Sequence, residues 1–334
     1  MFLKLVPDQT DIKFIKLRFI ALAVSALLFV GSIIALLTIG LNFGIDFRGG
    51  VTIEVADAEP IDPSEVRSVV QGLGLGNVNV QSIRDFAGSE EAIVVFVEQQ
   101  QASAESGDDD APAADLDTAN ENAQQDAARL VQDALRGLLG DNMEIRKVDV
   151  VGPTVSGELI NKGITAVVLA VMMMLIYIWL RFEWQFSVGA IVALVHDVVI
   201  TLGMFAVTQL KFELAIIAAI LTIVGYSMND TVVVYDRVRE NLRKYKQKPL
   251  EDVLDLSINE TLSRTMMTSV TTLLALVSLA VFGGEVLRGF TMAMIWGILI
   301  GTYSSIFVAS PSLLATGVKR DWSSAAASAQ PASP

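Results

Sequence analysis

Residues 214–235, LAIIAAILTIVGYSMNDTVVVY, form an apolar stretch that contains a single charged residue, Asp230. A helix rises 1.5 Å per residue, so about 20 apolar residues cross a hydrocarbon core of about 30 Å. An ionisable group inside that core costs about 2.5–3.5 kcal/mol on insertion scales, and it usually faces the bundle interior on a proton or ion path. The stretch therefore predicts a membrane-spanning helix, and Asp230 is the first candidate for ion coupling.

Five further stretches are apolar enough to cross a membrane, and 52% of the 334 residues are hydrophobic. We therefore predict a membrane α-helical bundle with six transmembrane helices, since no soluble globular class fits this composition. The first span is too long for a signal peptide and lacks an Ala-x-Ala cleavage site near its end, so we expect a retained anchor. The predicted spans are residues 18–41, 163–180, 187–208, 214–235, 265–282 and 289–316.

Lysine and arginine residues cluster at three places beside the predicted spans. They precede the first span at residues 4–18, they number seven in the connection 236–264, and they follow the last span at residues 319–320. By the positive-inside rule, both chain termini and this connection are expected to be cytoplasmic. The long segment 42–161 is then expected to lie on the external side.

The external segment carries the acidity of the chain. Residues 42–161 contain 23 acidic and 7 basic residues, a net charge of −16, whereas the whole chain carries −13. Nucleic-acid binding needs a basic surface, so this charge argues against it. Cysteine is absent, which excludes disulfides, thiolate metal sites and thiol nucleophiles. No phosphate-binding loop or nucleophile elbow occurs, so we predict no nucleotide hydrolysis, no enzyme activity, no cofactor and no metal site.

The external segment also has the pattern of a folded domain. Asp62 is a typical helix N-cap, with Pro63 at the first helical position and Glu65 as its capping partner. The element order βαββαβ predicts an α+β ferredoxin-like domain, in which two helices cover one face of an antiparallel sheet. The predicted strands are residues 51–55, 78–83, 92–98 and 143–151, and the predicted helices begin at residue 62 and near residue 123.

Residues 99–125 interrupt this domain with a segment rich in Gln, Ala, Ser and Asp. It contains too few large apolar residues to offset the entropy of ordering, so we predict a disordered insertion. The run Asp108–Asp110 raises the alternative of a cation-binding loop, but the oxygen spacing and glycine turn of a calcium loop are missing. Residues 323–334 are small and polar and are predicted to be a tail.

Arg264 stands at the cytoplasmic edge of the fifth predicted span. Asp230 is about 7–8 Å deep in the fourth, so an ion pair between the two is reasonable if these spans are neighbours. Thr268, Thr271 and Thr272 follow on the same helical face as Arg264 and raise the alternative of a hydroxyl-lined path. Threonines in membrane helices usually donate to their own upstream carbonyls, and we favour that interpretation for these three.

His196 and Asp197 occur near the middle of the third predicted span. Adjacent helical residues diverge by about 100°, so we expect one of them, and not both, to face a given partner. His196 is the single histidine of the chain, and it is either a proton relay or a structural hydrogen-bonding group. Gly297, Gly301 and Ser305 form a small-residue ridge, which we interpret as helix packing.

Five motifs distributed along the chain are informative together. They are GIDFRGG at 44–50, VGPTV at 151–155, His196-Asp197, SMNDTVV at 227–233 and NETLSRT at 259–265. With the spans around them they resemble the SecF side of the SecD/SecF family of protein-export membrane proteins, a branch of the resistance-nodulation-division superfamily. The resemblance extends from residue 13 to residue 322, and the acidic insertion lies outside it.

The resemblance implies a function and a set of partners. The chain would form one six-span half of a resistance-nodulation-division-type transporter in a bacterial inner membrane, paired with SecD about a pseudo-two-fold axis. The pair would use a proton or sodium gradient to promote late steps of polypeptide export. Further partners implied are the SecYEG channel, SecA, YajC or YidC, the exported polypeptide and membrane lipids.

The resemblance also implies site residues. It assigns proton movement to Asp230 and Arg264, and the glycine-rich signature outside the first span consists of Gly44, Asp46, Arg48, Gly49 and Gly50. Our candidate ion-coupling residues are Asp230, Arg264, Asp197, His196, Asn229 and Thr268.

Two other functions stay open from the sequence. A small-molecule or lipid exporter of the same superfamily would need two large external domains and a substrate pocket, whereas this chain offers one such domain. A non-conducting scaffold for SecD would tolerate Asp230→Asn, and a proton carrier would not.

Overall fold

The computed structural model describes residues 10–57, 61–84, 91–98, 100, 113–140 and 143–318. Several predictions concern residues outside these ranges: the basic residues Lys4, Lys319 and Arg320, the tail 323–334, and the acidic run Asp108–Asp110. Within the described residues the elements are, in chain order, a 3-10 turn (Phe14–Leu17), α1 (Arg18–Thr38), α2 (Ile45–Arg48), β1 (Gly50–Ala56), α3 (Pro63–Gln71), β2 (Val78–Arg84), β3 (Glu91–Val97), α4 (Ala113–Leu139), β4 (Glu144–Val151), α5 (Pro153–Arg181), α6 (Trp184–Thr208), α7 (Leu214–Lys244), α8 (Leu250–Phe282), α9 (Gly284–Ser304), a π-helical segment (Ser305–Ala309) and α10 (Ser310–Thr316).

Six helical stretches of the described chain are long and apolar enough to cross a membrane, as predicted. They are α1 with the 3-10 turn before it, α5, α6, α7, α8, and the run from α9 through α10. Helices α6, α7 and the α9–α10 run are about half buried within the chain, whereas α1, α5 and α8 expose most of their surface. The central three helices therefore form the core of the bundle.

Helices α7 and α8 extend well beyond the spans predicted from the sequence. The connection 236–264, expected as a loop, is a helical hairpin whose turn lies between Lys244 and Leu250. Buried apolar residues recur at helical spacing on both arms of the hairpin, which explains why the helices continue. They are Val238, Leu242, Val253, Leu254 and Ile258.

Small residues let α9 approach α7 closely, as the ridge of glycines predicts. A Cβ added at Gly297 would lie 2.4 Å from the side chain of Ile223, and one at Gly301 would lie 2.9 Å from Cβ of Ser227. Real Cβ atoms do not come this near to another heavy atom, so a side chain at either position would force α7 and α9 to shift. The close approach brings Ser227 of α7 next to α9.

The segment between α1 and α5, which is predicted to be external and is called the external domain below, contains a four-stranded antiparallel sheet in the order β2-β3-β1-β4. The ends of the membrane helices beside this domain are called their outer ends. One sheet face packs on α3 and α4 around a core that includes Ile53, Val66, Val95 and Val131. Helix α3 begins as predicted, because the Asp62 side chain accepts a hydrogen bond from the Ser64 amide at 2.8 Å. The other sheet face is turned toward the membrane bundle.

The predicted disordered insertion is partly wrong. Helix α4 begins at Ala113 rather than near residue 123, so residues 113–125 are helical. Gln124 is fully buried, and its side-chain amide donates to the carbonyl oxygen of Gln100 at 2.7 Å. Alanine, glutamine and glutamate favour helix strongly enough to extend an anchored helix without large apolar residues. Residues 101–112 lie outside the described ranges.

Candidate ion-coupling site

Asp230 lies inside the helix bundle and has a hydroxyl group on each carboxylate oxygen. Its side chain is on α7, and the residue is 5% exposed. Thr265 Oγ1 of α8 donates to Oδ1 at 2.7 Å, and Ser305 Oγ of the π-helical segment donates to Oδ2 at 2.8 Å. The carboxylate therefore joins three elements of the bundle.

Asp197 of α6 forms a second buried carboxylate site. Its Oδ2 accepts hydrogen bonds from Ser227 at 2.5 Å and from Ser304 at 2.7 Å, and its Oδ1 lies 2.9 Å from His196 Nδ1. The His196 ring stacks on Tyr303 with centroids 6.4 Å apart. His196 Nε2 is buried without a hydrogen-bond partner among the described atoms. The site thus retains one unused ring nitrogen.

The expectation that His196 and Asp197 face different partners is wrong. Both side chains contact α9, His196 through Tyr303 and Asp197 through Ser304. Tyr303 and Ser304 are consecutive in α9, so their side chains also diverge by about 100°. Helix α9 lies between the directions in which His196 and Asp197 point, and it contacts one of them with each of these two residues.

The π-helical segment places adjacent serines on different carboxylates. Ser304 donates to Asp197, and Ser305, where the segment begins, donates to Asp230. Single π-turns inside α-helices frequently occur at functional sites. The buried Tyr235 hydroxyl donates to the Ala309 carbonyl oxygen at 2.9 Å, which satisfies a carbonyl at the end of the segment. One short irregularity therefore links the two carboxylate sites.

Arg264, Asn229 and Thr268 lie on the exposed surface of α7 and α8 rather than inside the bundle. No ion pair within 4.0 Å joins Arg264 to Asp230 in the described structure. Thr268 donates to the backbone carbonyl oxygens of Arg264 and Thr265, as favoured for the threonines of this helix. These three candidates are therefore near the Asp230 site in sequence but do not bond to its carboxylate.

Sequence reasoning missed Thr265 and interpreted Ser305 as packing. Thr265 directly follows Arg264, but it occupies the buried side of α8 and is 2% exposed. Ser305 belongs to the small-residue ridge, and the same small side chain that allows close packing also brings its hydroxyl to the carboxylate. A buried carboxylate needs donors nearby, so small hydroxyl residues in the predicted spans were the signal available.

The glycine-rich signature forms the junction between the external domain and the outer end of α7. Asp46 Oδ2 accepts a hydrogen bond at 2.8 Å from the amide of Leu214, the first residue of that helix. The Gly44 amide donates to the Phe212 carbonyl oxygen at 2.9 Å, and a Cβ on Gly44 would lie 2.7 Å from Cγ of Glu213. The signature therefore caps and clamps the helix that carries Asp230.

The second half of the signature leads directly into the sheet. Gly49 and Gly50 have positive φ angles of 69° and 116°, a region that favours glycine, and β1 begins at Gly50. Arg48 is exposed and lines a cavity of about 560 Å³ between the open sheet face and the outer ends of the membrane helices. The signature thus connects the membrane core to the external domain within a few residues.

Charged groups from both parts of the molecule meet at this cavity. Lys147 of β4 lies 2.6 Å from Asp149. Burial lowers the pKa of Lys147, but the hydrogen bond and charge of Asp149, together with the charges of Glu213 and Asp46, outweigh burial and raise that pKa. Burial raises the pKa of Glu213, and the charge of Lys147 opposes this shift. Electrostatic interactions between β4 and the outer end of α7 therefore connect the external domain to the membrane helices.

Comparisons with known proteins agree with this architecture. The family described as "Protein export membrane protein SecD/SecF, C-terminal" matches residues 131–319, and the "SecD/SecF GG Motif" matches residues 34–56. The protein translocase subunit SecF of Rhodobacter capsulatus is 46% identical over 319 residues, which cover 96% of this chain and 93% of that protein. This chain belongs to the SecF family. A second SecF protein, from Rickettsia bellii, is 42% identical over 314 residues, covering 93% of this chain and 95% of its own.

Solved structures support the same assignment. SecDF from Thermus thermophilus, described as a translocon-associated membrane protein, superposes with a TM-score of 0.74 at 30% identity. The alignment covers 93% of this chain and 39% of the SecDF chain. A SecDF structure in a super-membrane-facing form gives a TM-score of 0.63, with 98% and 40% coverage. This SecF chain, a multi-pass protein translocase subunit, thus corresponds to part of a longer polypeptide in those structures.

Proposed function

We propose that this SecF chain works with SecD to convert an ion gradient, of protons or sodium, into movement that promotes late steps of polypeptide export. The observation that carries the proposal is the Asp230 carboxylate, which is 5% exposed and held by hydroxyls of two other elements. No cation lies within ion-pair distance of it in the described structure. An unpaired charge in a membrane bundle is costly, so binding of a cation to this group changes the energy of the surrounding packing.

A proton on Asp230 disrupts one of the two hydroxyl contacts of its carboxylate. The ionised carboxylate accepts from Thr265 and from Ser305, whereas a protonated carboxyl has one oxygen that donates. One of the two hydroxyls must then reorient, and the contact between α7 and either α8 or the π-helical segment changes. Two packing arrangements of the bundle would thereby correspond to the two states of one carboxyl group.

The energy available is sufficient for such a switch. Moving one elementary charge through 100 mV yields about 2.3 kcal/mol, which biases a two-state equilibrium roughly fiftyfold. Asp197 likewise accepts hydrogen bonds from hydroxyl groups. Its donor Ser304 is adjacent in the chain to Ser305, which donates to Asp230. We assign it, with His196, a supporting role in the same ion path.

Helix α7 would transmit the change to the external domain. Its outer end is capped by Asp46, and the chain passes from α2 through Gly49 into β1. In the neighbouring strand, β4 ends at Val151 and α5 begins at Pro153. The domain, for which the strand order supports a ferredoxin-like class, would follow any displacement of these helix ends.

SecD is the proposed neighbour of the exposed polar surface formed by Asn229, Arg264 and Thr268. Lipid-exposed polar groups are unfavourable within a span, so a partner that covers them is favoured. In the two SecDF structures, the segment that corresponds to this chain is part of one longer polypeptide. In the complex, Arg264 would then pair with Asp230 or with a partner carboxylate during the cycle. The periplasmic placement of the external domain, cytoplasmic termini, and contacts with SecYEG, SecA and YajC or YidC are further parts of this proposal.

Cation flux in sealed vesicles tests the proposal. The chain is reconstituted with SecD, a proton or a sodium gradient is imposed in turn, and the native protein is compared with Asp230→Asn. Asp255→Asn is a matched control, because Asp255 is also a buried carboxylate but accepts from the backbone amide of Ile15, which asparagine can still do. We expect flux to be lost in Asp230→Asn and kept in the control, with the complex assembled in both. Undiminished flux in Asp230→Asn would contradict ion coupling at this residue and favour a scaffold.

A further inference from the structure

A second cavity, of about 640 Å³, lies where α5 ends and α7 continues beyond the bundle. It is lined by Arg181 at the end of α5 and by five charged residues of α7. The members from α7 are Asp236, Arg239, Glu240, Arg243 and Lys244. None of them takes part in the Asp230 or Asp197 sites.

The lining carries four cationic groups and two carboxylates, an excess of positive charge. Arg181 Nη2 lies 2.9 Å from both oxygens of Asp236, so one pair is already satisfied. Glu240 accepts from Arg237, which stands outside the cavity, at 2.7 Å. The two carboxylates are therefore engaged. Arg239 Nη1 lies 4.0 Å from Asp236 and donates to the Arg181 carbonyl oxygen over a long 3.5 Å, so neither contact is close.

Arg239 is held in place with capacity to bind an anion. Its Cζ lies 5.5 Å above the Phe182 ring, and that ring also packs against Arg181 at 5.1 Å. Arg239 Nε is buried without a hydrogen-bond partner among the described atoms. An arginine positioned on an aromatic ring with unused donors suits an oxyanion that accepts several hydrogen bonds, and phosphate is such a group.

The surface beside the cavity has the character of a membrane boundary. Trp179 and Leu180, on the last turn of α5, are 66% and 80% exposed, and Trp184, on the first turn of α6, is 55% exposed. Tryptophan is enriched at the level of lipid headgroups. The cavity therefore opens at headgroup depth, next to apolar side chains that can contact acyl chains.

We propose that this cavity binds the phosphate headgroup of an anionic phospholipid, with Arg239, Arg243 and Arg181 as the principal contacts. The phosphate would lie against the guanidinium groups, and the acyl chains would follow the exposed tryptophans of α5 and α6. Basic pockets between membrane helices are known to hold such headgroups. The occupant is a lipid rather than free phosphate because the apolar boundary continues directly from the charged lining.

Binding of phosphatidylglycerol to the purified full-length chain, measured by native mass spectrometry from detergent, tests this site. Each cation near a membrane surface contributes about 1 kcal/mol, so Arg239→Gln and Arg243→Gln are each expected to weaken binding about fivefold. Lys246→Gln removes the same charge from the same hairpin but outside the cavity, and it should leave the affinity within about twofold. Phosphatidylcholine should bind weakly to all variants.

A variant that gains affinity shows that the effects of the arginine substitutions do not come from misfolding. Asp236→Asn removes the carboxylate that competes for Arg181, so phosphatidylglycerol should bind about fivefold more tightly than to the native chain. Equal affinity in native and Arg239→Gln proteins, or no gain in Asp236→Asn, would overturn the proposal. Displacement of the lipid by millimolar inorganic phosphate would also overturn it, because the site would then recognise the anion without the membrane.

Discussion

The hydroxyl groups of Thr265 and Ser305 are as much a part of the proposed coupling site as Asp230 itself. Each occupies one carboxylate oxygen, and each comes from a different element. A hydrogen bond to a charged group is worth about 1.5–3 kcal/mol, more than an ordinary one. We therefore expect ion binding to Asp230 to act by weakening one of these two hydrogen bonds relative to the other.

Replacing Ser305 with alanine should impair coupling without removing the carboxylate. The loss of one charge-assisted hydrogen bond is expected to reduce cation flux about tenfold in reconstituted vesicles with SecD. Ser278→Ala is the matched control, since Ser278 donates to the Leu274 carbonyl oxygen of its own helix. Native-like flux in Ser305→Ala, with the complex assembled, would show that the second hydroxyl is dispensable.

The sequence was sufficient to single out Asp230 and Asp197 as buried carboxylates, because an acidic residue in an apolar span is unusual in itself. It was not sufficient to identify Thr265, since serine and threonine are common in membrane helices and their partners depend on helix rotation. The π-helical segment adds one residue to a turn, so the positions of Ser304 and Ser305 could not be read from a period of 3.6. The ion pair considered between Arg264 and Asp230 is not formed in the described structure, where Arg264 is exposed on the surface of α8.

At the scale of elements, α7 combines three tasks along 31 residues. Its outer end is capped by the external signature, its middle carries Asp230, and its inner end lines the cationic cavity. The run of apolar residues predicted the middle of this helix correctly. It did not predict the inner extension, because a helix with one charged face lacks the continuous apolar residues of a membrane span. The cap was missed as well, since Asp46 is 168 residues away in the chain.

Removal of the Asp46 cap should loosen the outer end of α7. Asp46→Ala leaves the Leu214 amide without its acceptor and is expected to cost about 1 kcal/mol, measured as a lower thermal unfolding temperature of the purified chain. Asp46→Asn keeps an acceptor oxygen of the same reach and should recover most of that stability. An alanine variant as stable as the native chain would mean that this hydrogen bond does not support the helix.

At the scale of the whole molecule, polar residues are exposed on one part of the membrane surface. Asn229, Arg264 and Thr268 share this surface, whereas α1 exposes mainly apolar side chains such as Leu27 and Leu37. A chain inserted alone would place the polar groups against lipid, at a cost that a partner removes. We therefore expect the polar face to meet a protein partner and the apolar face to meet lipid.

A cysteine introduced at Thr268 should be shielded when SecD is present. The chain contains no native cysteine, so Thr268→Cys and the control Lys246→Cys, in the exposed turn of the α7–α8 hairpin, can each be labelled with a maleimide at a single position. We expect labelling at residue 268 to fall at least tenfold on co-expression with SecD, and labelling at residue 246 to stay unchanged. Equal labelling at residue 268 with and without SecD would place the partner elsewhere.

The short connections at Gly49 and Gly152 have a mechanical consequence. They lead into and out of neighbouring strands of the external domain, because Gly50 pairs with Val151 across β1 and β4. A body attached at two adjacent points can turn about the line between them but cannot be lifted away or slid along the membrane. The glycines on one side permit rotation, while Pro153 restricts the backbone on the other. We therefore expect a tilt to be the easiest movement of the domain, with the largest displacement at the edge farthest from this axis.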